Sequence, residues 1–347
     1  MILVVGAGLA GLTYAHRAVR NGEKVEVWEK DHTLGSKPCG EAILDGALDH
    51  LPLSAREKAG VTLNHIRRVR LRFPSEGGLP ERVISVNSGG DAVIVDKPSL
   101  LEALASIVES EGVQILRGKL FTREQAVRLD ADMIVDASGF VRVTHVGEGV
   151  VAPVLRGYHR STGIINSDEL LVEFDGEGMG YFWVFPHGDE YNVGFGGLYP
   201  PGTLRAKLTH YLAKYGLNDA YDVRGAGIVV SGPLKLRWEY LYGRPVIRIG
   251  ESAGVVNPLL GEGNRQAILD ALGQRDIRER VRRATEMFRV IERVGTRQAY
   301  KLASKLSDRD LEDVLEGRRV PLRFMFSLFL HSYGSANRSN TVHVQVT

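Results

Sequence analysis

The sequence is poor in residues that would staple or anchor it. It contains a single cysteine, Cys39. An intrachain disulfide and a zinc site made of several thiolates are therefore excluded, and no metal site is expected. No apolar run approaches the roughly 18 residues that a membrane-spanning helix needs. Neither sign of charge dominates: 44 Lys and Arg stand against 42 Asp and Glu, a net of +2, too little to point to nucleic acid. There is no collagen-like period and no repeat of solenoid length. No basic leader precedes the apolar residues 2–5, so a signal peptide is not expected. One cysteine and no leader fit a reducing, cytoplasmic setting.

What is present is an ordinary globular mixture. Hydrophobic residues make up 44% and charged residues 25% of 347 positions. That length suggests two or three domains, and that composition excludes disorder as the main state. Glycine is frequent, at 40 residues, and clusters in turns.

The chain opens on the strand-like run 2–5, which ends in Gly6-Ala7-Gly8-Leu9-Ala10-Gly11. A helical pattern follows, with Leu9, Leu12, Ala15, Ala18 and Val19 on one face, and stops at Asn21-Gly22. Residues 24–30 then alternate as a strand. This βαβ start predicts a doubly wound α/β sheet. Gly6 permits the tight turn, Gly8 lets a diphosphate approach the backbone, and Gly11 lets helix and strand pack closely. The helix N-terminus offers free N–H groups to the phosphates. Glu29, followed by Lys30, stands eighteen residues after Gly11, where a carboxylate accepts hydrogen bonds from a ribose diol and repels a 2′-phosphate. The motif does not itself separate one dinucleotide from another.

Two later segments carry a resemblance. Asp136-Ala137-Ser138-Gly139 closes an apolar strand, and Ile247 to Gly254 (IRIGESAG) leads into Asn257 to Gly263 (NPLLGEG). With Pro38-Cys39-Gly40 and Tyr181-Phe182-Trp183-Val184-Phe185-Pro186, they make the chain resemble the geranylgeranyl reductase family of FAD-dependent oxidoreductases, within the p-hydroxybenzoate-hydroxylase-like flavoproteins. The resemblance covers roughly residues 1–275. It implies an FAD cofactor and reduction of carbon–carbon double bonds in an isoprenoid lipid. It also implies an external electron donor such as NAD(P)H or a ferredoxin. The cofactor positions it implies are Gly6, Gly8, Leu9, Ala10, Gly11, Glu29, Lys30, Cys39, Gly40, Lys97, Ala137, Ser138, Gly139, Gly250, Glu251 and the turn Gly261, Glu262, Gly263, Asn264. Glu251 stands where the family usually has Asp, Asn264 where it tends to be apolar, and Asp96-Lys97 where an acid–Arg pair is frequent. Backbone N–H groups at the 261–264 turn can face the flavin pyrimidine edge and stabilise negative charge there. The competing account is a glycine-rich turn with Glu262 solvated.

On the substrate side the family's matching cysteine lies near the flavin ring. Cys39 is thus a candidate gate, proton donor or substrate contact, against a role as a small buried hydrophobe. Tyr181, Trp183 and Phe185 share one face of a strand. They form either an aromatic core face or, as the resemblance implies, the wall of an apolar substrate cavity that also includes Pro186. Tyr158, His159 and His187 read as structural hydrogen-bonding groups. Gly194-Phe195-Gly196-Gly197 lacks a following helix and is not a second nucleotide loop.

The expected architecture is a Rossmann-type FAD-binding domain (1–72, 92–156, 240–274), an inserted antiparallel substrate domain (73–91, 157–239) and a C-terminal helical region (275–347). Residues 67–73 and 82–95 alternate like a hairpin. Residues 275–301 hold nine basic and four acidic side chains, with Val281, Ala284, Phe288, Ile291 and Val294 at helical spacing. This helix and the apolar run 324–330 read as a packed lid with a solvated charged face, or as a peripheral membrane contact. The rival functions are a monooxygenase or halogenase of the same fold, and a non-catalytic flavin- or lipid-binding protein.

Overall fold

The structure is a computed structural model that describes residues 1–73, 92–145, 149–160, 163–234, 238–303, 305–321 and 324, and the backbone of 82–85. All of the expected apolar run 324–330 except Phe324, and the glycine-rich stretch at 77–78, lie outside the described residues.

A six-stranded sheet joins the N-terminal segment to residues 238–248. Its order is β15 (Trp238–Leu241), β16 (Arg244–Arg248), β9 (Met133–Asp136), β1 (Ile2–Val5), β2 (Val25–Glu29) and β8 (Gln114–Arg117). All pairs are parallel except β15 with β16. β1 is buried at all four residues, as expected of a parallel strand covered on both faces. On one face α1 (Leu9–Arg20) packs beside α3 (Lys97–Ser110) and α5 (Asn264–Ala271). Because β16, β9, β1 and β2 run parallel, their carboxyl ends share one edge. The loops that leave that edge, starting at residues 6, 30, 137 and 249, meet there.

The second sheet has seven strands in the order β14 (Tyr221–Val229), β10 (Val151–His159), β13 (Glu190–Gly197), β12 (Gly180–His187), β11 (Glu169–Phe174), β5 (Arg68–Arg72) and β6 (Arg82–Ser85). It takes in 68–72 and all of 151–159, so it reaches outside the 73–91 and 157–239 segments expected from sequence. The middle segment is not sheet alone. α4 (Pro201–Lys214) covers one face, with Leu204, Leu208, Tyr211 and Leu212 buried against Phe182 and Phe195. The hairpin expected over 67–95 is also divided. β5 pairs with β6, whereas β7 (Ala92–Val95) is the centre of a small sheet between β3 (Ala42–Ile43) and β4 (Thr62–Ile66). Four consecutive buried residues in β7 suit a covered central strand, not an alternating edge. α2 (Ala55–Val61), opened by a Ser54–Glu57 capping box, leads into β4.

The C-terminal helices α6 (Arg275–Val294), α7 (Thr296–Ala303) and α8 (Asp308–Leu315) pack on the other face of the seven-stranded sheet. Val281, Ala284 and Phe288 are buried, while Arg282 and Arg283 pair with Glu279 and Glu286 on the solvent side. The stripe is therefore the inner face of a packed lid. No helix among the described residues is long and apolar enough to cross a membrane.

Candidate functional site

A cleft of about 630 Å³ lies between the two large sheets, well within the range of cofactor sites. Its floor is the carboxyl edge of the parallel sheet. Gly6 has φ +104°, and a side chain there would strike the Ala137 carbonyl. Gly8 faces open space in the cleft with nothing within 4 Å of where a Cβ would stand. It caps α1 with no side-chain hydrogen bond, so the first N–H groups of the helix stay available. Leu9 and Ala10 line the cleft beside it. Gly11 does not; its missing Cβ makes room for the Gly6 carbonyl. The Glu29 carboxylate accepts from the Ala7 N–H at 2.8 Å and the Asp31 N–H at 3.0 Å. Lys30 lines the same wall and pairs with Asp31.

The Ala137-Ser138-Gly139 turn also faces the cleft. Fully buried Asp136 fixes it by accepting from Ser138 N–H and from the Thr144 amide and hydroxyl. Gly250, at φ +59°, sits against Ala10 and serves packing rather than the cleft lining. Glu251 enters the cleft, accepts from the Val229 N–H and pairs with Lys37.

The 261–264 turn closes the far side. Glu262 is 8% exposed, which removes the solvated account. Its Oε2 accepts from Arg265 at 2.7 Å and Gln266 at 2.9 Å, and its Oε1 has no partner. Arg265 also pairs with Asp45 and Glu316, so three carboxylates share one buried guanidinium. Burial pushes the Glu262 carboxyl up to about 7; Arg265 opposes the shift and the Glu316 charge adds to it. Gly263 caps α5 with no side-chain bond. Asn264 is a hub: its amide donates to Cys39 Sγ at 3.4 Å and to the Ala42 carbonyl, and accepts from Lys97 Nζ at 3.2 Å.

The opposite wall is the face of the seven-stranded sheet. Tyr181, Trp183 and Phe185 all line the cleft, with ring centroids 6.1 and 6.3 Å apart in turn. Pro186 does not. It falls on the other face of β12 by strand alternation, which corrects its assignment to the substrate wall. Gly194 lies directly across from Trp183, and a side chain there would collide with the indole. Gly194 supplies that space, whereas Gly196 makes room for Val154 and Gly197 for the Met179–Gly180 backbone.

Sequence reasoning missed a buried polar cluster behind Cys39. Asn192 accepts from Trp183 Nε1 at 3.0 Å and donates to the Cys39 carbonyl at 2.8 Å and to Glu41 Oε2 at 3.1 Å. Tyr158 Oη donates to the same carboxylate oxygen, and His187 Nε2 lies 3.0 Å from it. Glu41 is held at φ +62°, and its N–H donates to Cys39 Sγ. An Asn on a strand face otherwise made of Gly194 and Gly196 was the available signal.

These residues fit FAD. The Gly8 cradle is open, two helix N-termini reach the cleft uncapped, and Glu262 Oε1 is a buried acceptor without a partner. Residues 4–38 match the NAD(P)-binding Rossmann-like domain family. The chain is 27% identical to the menaquinone reductase of Mycobacterium tuberculosis, covering 99% of this chain and 89% of that protein. It is 24% identical to the digeranylgeranylglycerophospholipid reductase of Sulfolobus acidocaldarius, covering 77% of this chain and 66% of that protein, just under two thirds of its length. A geranylgeranyl bacteriochlorophyll reductase-like protein from Thermoplasma acidophilum superposes with a TM-score of 0.66 at 18% identity, over 96% of both chains. That likeness shows the fold, which flavin-dependent halogenases share. Cleft and relatives together support an FAD-dependent oxidoreductase that has the p-hydroxybenzoate-hydroxylase-like fold and is similar to the geranylgeranyl-reductase-like flavoproteins.

Proposed function

We propose that the enzyme reduces carbon–carbon double bonds in the isoprenoid chain of a lipid. One observation carries the reading. Beside the aromatic wall, under α6–α8, lies an apolar side pocket of about 90 Å³, and the two spaces have Val154, Tyr181, Ile228, Gly261 and Leu315 in common as lining. A long apolar chain is a ligand shape suited to such adjoining apolar spaces.

When bound, FAD would supply the two-electron hydride chemistry that the alkene needs. Gly6, Gly8 and Glu29 would hold the ADP half of the cofactor, with Gly11 only letting α1 pack closely against the Gly6 turn. Ala137–Gly139, Glu251 and the 261–264 turn hold the diphosphate and ring. Trp183 and Phe185 press the chain into the cleft and exclude water. Cys39, whose sulfur is fixed by the Glu41 N–H and the Asn264 amide, or a water beside it, gives the proton that the other alkene carbon takes. An external reductant, a nicotinamide or a ferredoxin, restores the electrons. The protein works in the cytoplasm and meets its lipid at the membrane surface.

The holoenzyme is reduced anaerobically with dithionite, mixed with geranylgeranyl lipids and followed by mass spectrometry. The expected product carries one added H2 per reduced bond. An unchanged lipid, or, in a parallel aerobic assay, substrate-stimulated oxygen uptake with an oxygenated or halogenated product, overturns the proposal.

A further inference from the structure

The substrate wall contains one strongly polar position that the reaction above does not use. Arg156 sits in the middle of β10, lines the cleft and is 6% exposed. It lies across from Gly194, which lies across from Trp183, so guanidinium and indole belong to one row of the sheet. Its carboxylate contact is poor: Nη1 is 3.5 Å from Asp222 Oδ2, while Arg224 holds the other oxygen of that carboxylate at 2.7 Å. Nε has no partner. The guanidinium instead rests over the Tyr158 ring at 4.1 Å. Arg265, also buried, is matched by three carboxylates. The nearby acid of the cleft, Glu41, already accepts from Tyr158 and Asn192, with His187 Nε2 3.0 Å away. A buried cation this weakly compensated is a site prepared for an incoming anion.

We propose that Arg156 recognises an anionic phosphate-class headgroup and thereby selects phosphorylated prenyl substrates over neutral ones. The order of residues along β10 supports this. Tyr158 and Arg156 form a polar end. Val154, one side-chain step further, lines both the cleft and the apolar side pocket. An amphiphile with its head at Arg156 would lay its chain past Trp183 and Tyr181. The planar guanidinium fork matches two oxygens of a phosphate, whereas an ammonium offers only a point charge. The tail part of this inference rests on the prenyl reading above; the anion part does not.

The test uses FAD-loaded protein, so that the cofactor's own diphosphate site is filled, and follows tryptophan and flavin fluorescence. Four probes are titrated: geranylgeranyl diphosphate, digeranylgeranylglyceryl phosphate in detergent micelles, geranylgeraniol and inorganic diphosphate. Arg156→Gln should weaken at least one phosphorylated prenyl ligand by about 10- to 100-fold, the scale of a charge-assisted bidentate contact, and leave geranylgeraniol within about twofold. Which of the two weakens identifies a soluble diphosphate or a lipid headgroup as the source. Arg156→Lys should be intermediate, and it serves as the test if the Gln variant does not fold. Equal losses for alcohol and phosphates, or no loss for either phosphate, overturns the proposal. If no prenyl ligand binds the wild type but inorganic diphosphate binds in an Arg156-dependent way, the prenyl reading fails and the anion site stands. If no anion binds the wild type, the anion site fails.

Discussion

The two sides of the cleft are made of different material. The cofactor side is backbone: glycines, helix N-termini and turn amides at the carboxyl edge of a parallel sheet. The substrate side is side chains: aromatic rings, an asparagine and an arginine standing on an antiparallel face. On the first side a missing Cβ is the functional feature. On the second, missing Cβ atoms at Gly194 and Gly196 only make room for what their neighbours present. A ligand held by backbone tolerates almost no added atom, whereas a wall of side chains can be trimmed and still stand.

Substitution can break that contrast, and the largest effect is expected at the glycines of the first turn. Gly11→Ala should abolish both fold and flavin, because the new methyl meets the Gly6 carbonyl, which cannot move without β1. Gly8→Val should fold but purify colourless, because its Cβ enters open cleft where the diphosphate is to lie. Circular dichroism and flavin absorbance separate the two. A yellow Gly8→Val protein would remove this loop from the site.

Trp183→Ala should leave the FAD content unchanged and weaken long prenyl ligands about tenfold or more, since a large buried apolar side chain is worth roughly 1.5–3 kcal/mol. Unchanged affinity would make the aromatic row mere core.

The last effect, on stability alone, concerns Glu262. Its carboxyl is held up at about 7 against an ordinary 4.5, so the folded state binds a proton that the unfolded chain has already released. The resulting stability is full below about 4.5 and is lost as the pH rises to about 7. Chemical denaturation across that window should show wild-type stability falling relative to Glu262→Gln, by up to about 3 kcal/mol. A constant difference would mean that Glu262 is ionised throughout, fully paired with Arg265.

The cofactor side was legible in sequence because backbone chemistry is local. Gly6, Gly8 and Gly11 each answer to a constraint within one turn, and Glu29 to the length of the helix between. Glu262 was not legible. Its burial depends on Arg265 one helical turn away, but also on Asp45 and Glu316, which chain order does not bring near. Asn192, Glu41 and Arg156 were missed for a related reason. Each acts across strands, and cross-strand neighbours follow from register, which alternation constrains only to odd or even. Pro186 shows the same limit from the other side: it adjoins the aromatic motif in sequence and points away from the cleft in the fold. α4 was overlooked although Leu204, Leu208, Tyr211 and Leu212 have helical spacing, because strands surround it on both sides.

By itself, then, the chain's order of residues determined a βαβ start, the glycine turn proposed to receive a diphosphate and the face on which three aromatics stand. Only the tertiary structure decided that the aromatic row faces the cofactor cleft, that a weakly paired guanidinium stands beside it, and that one arginine serves three acids. The reason is range. Torsional and helix-end constraints act within a few residues, whereas burial and charge pairing are set by segments that meet only when the sheets close on one another.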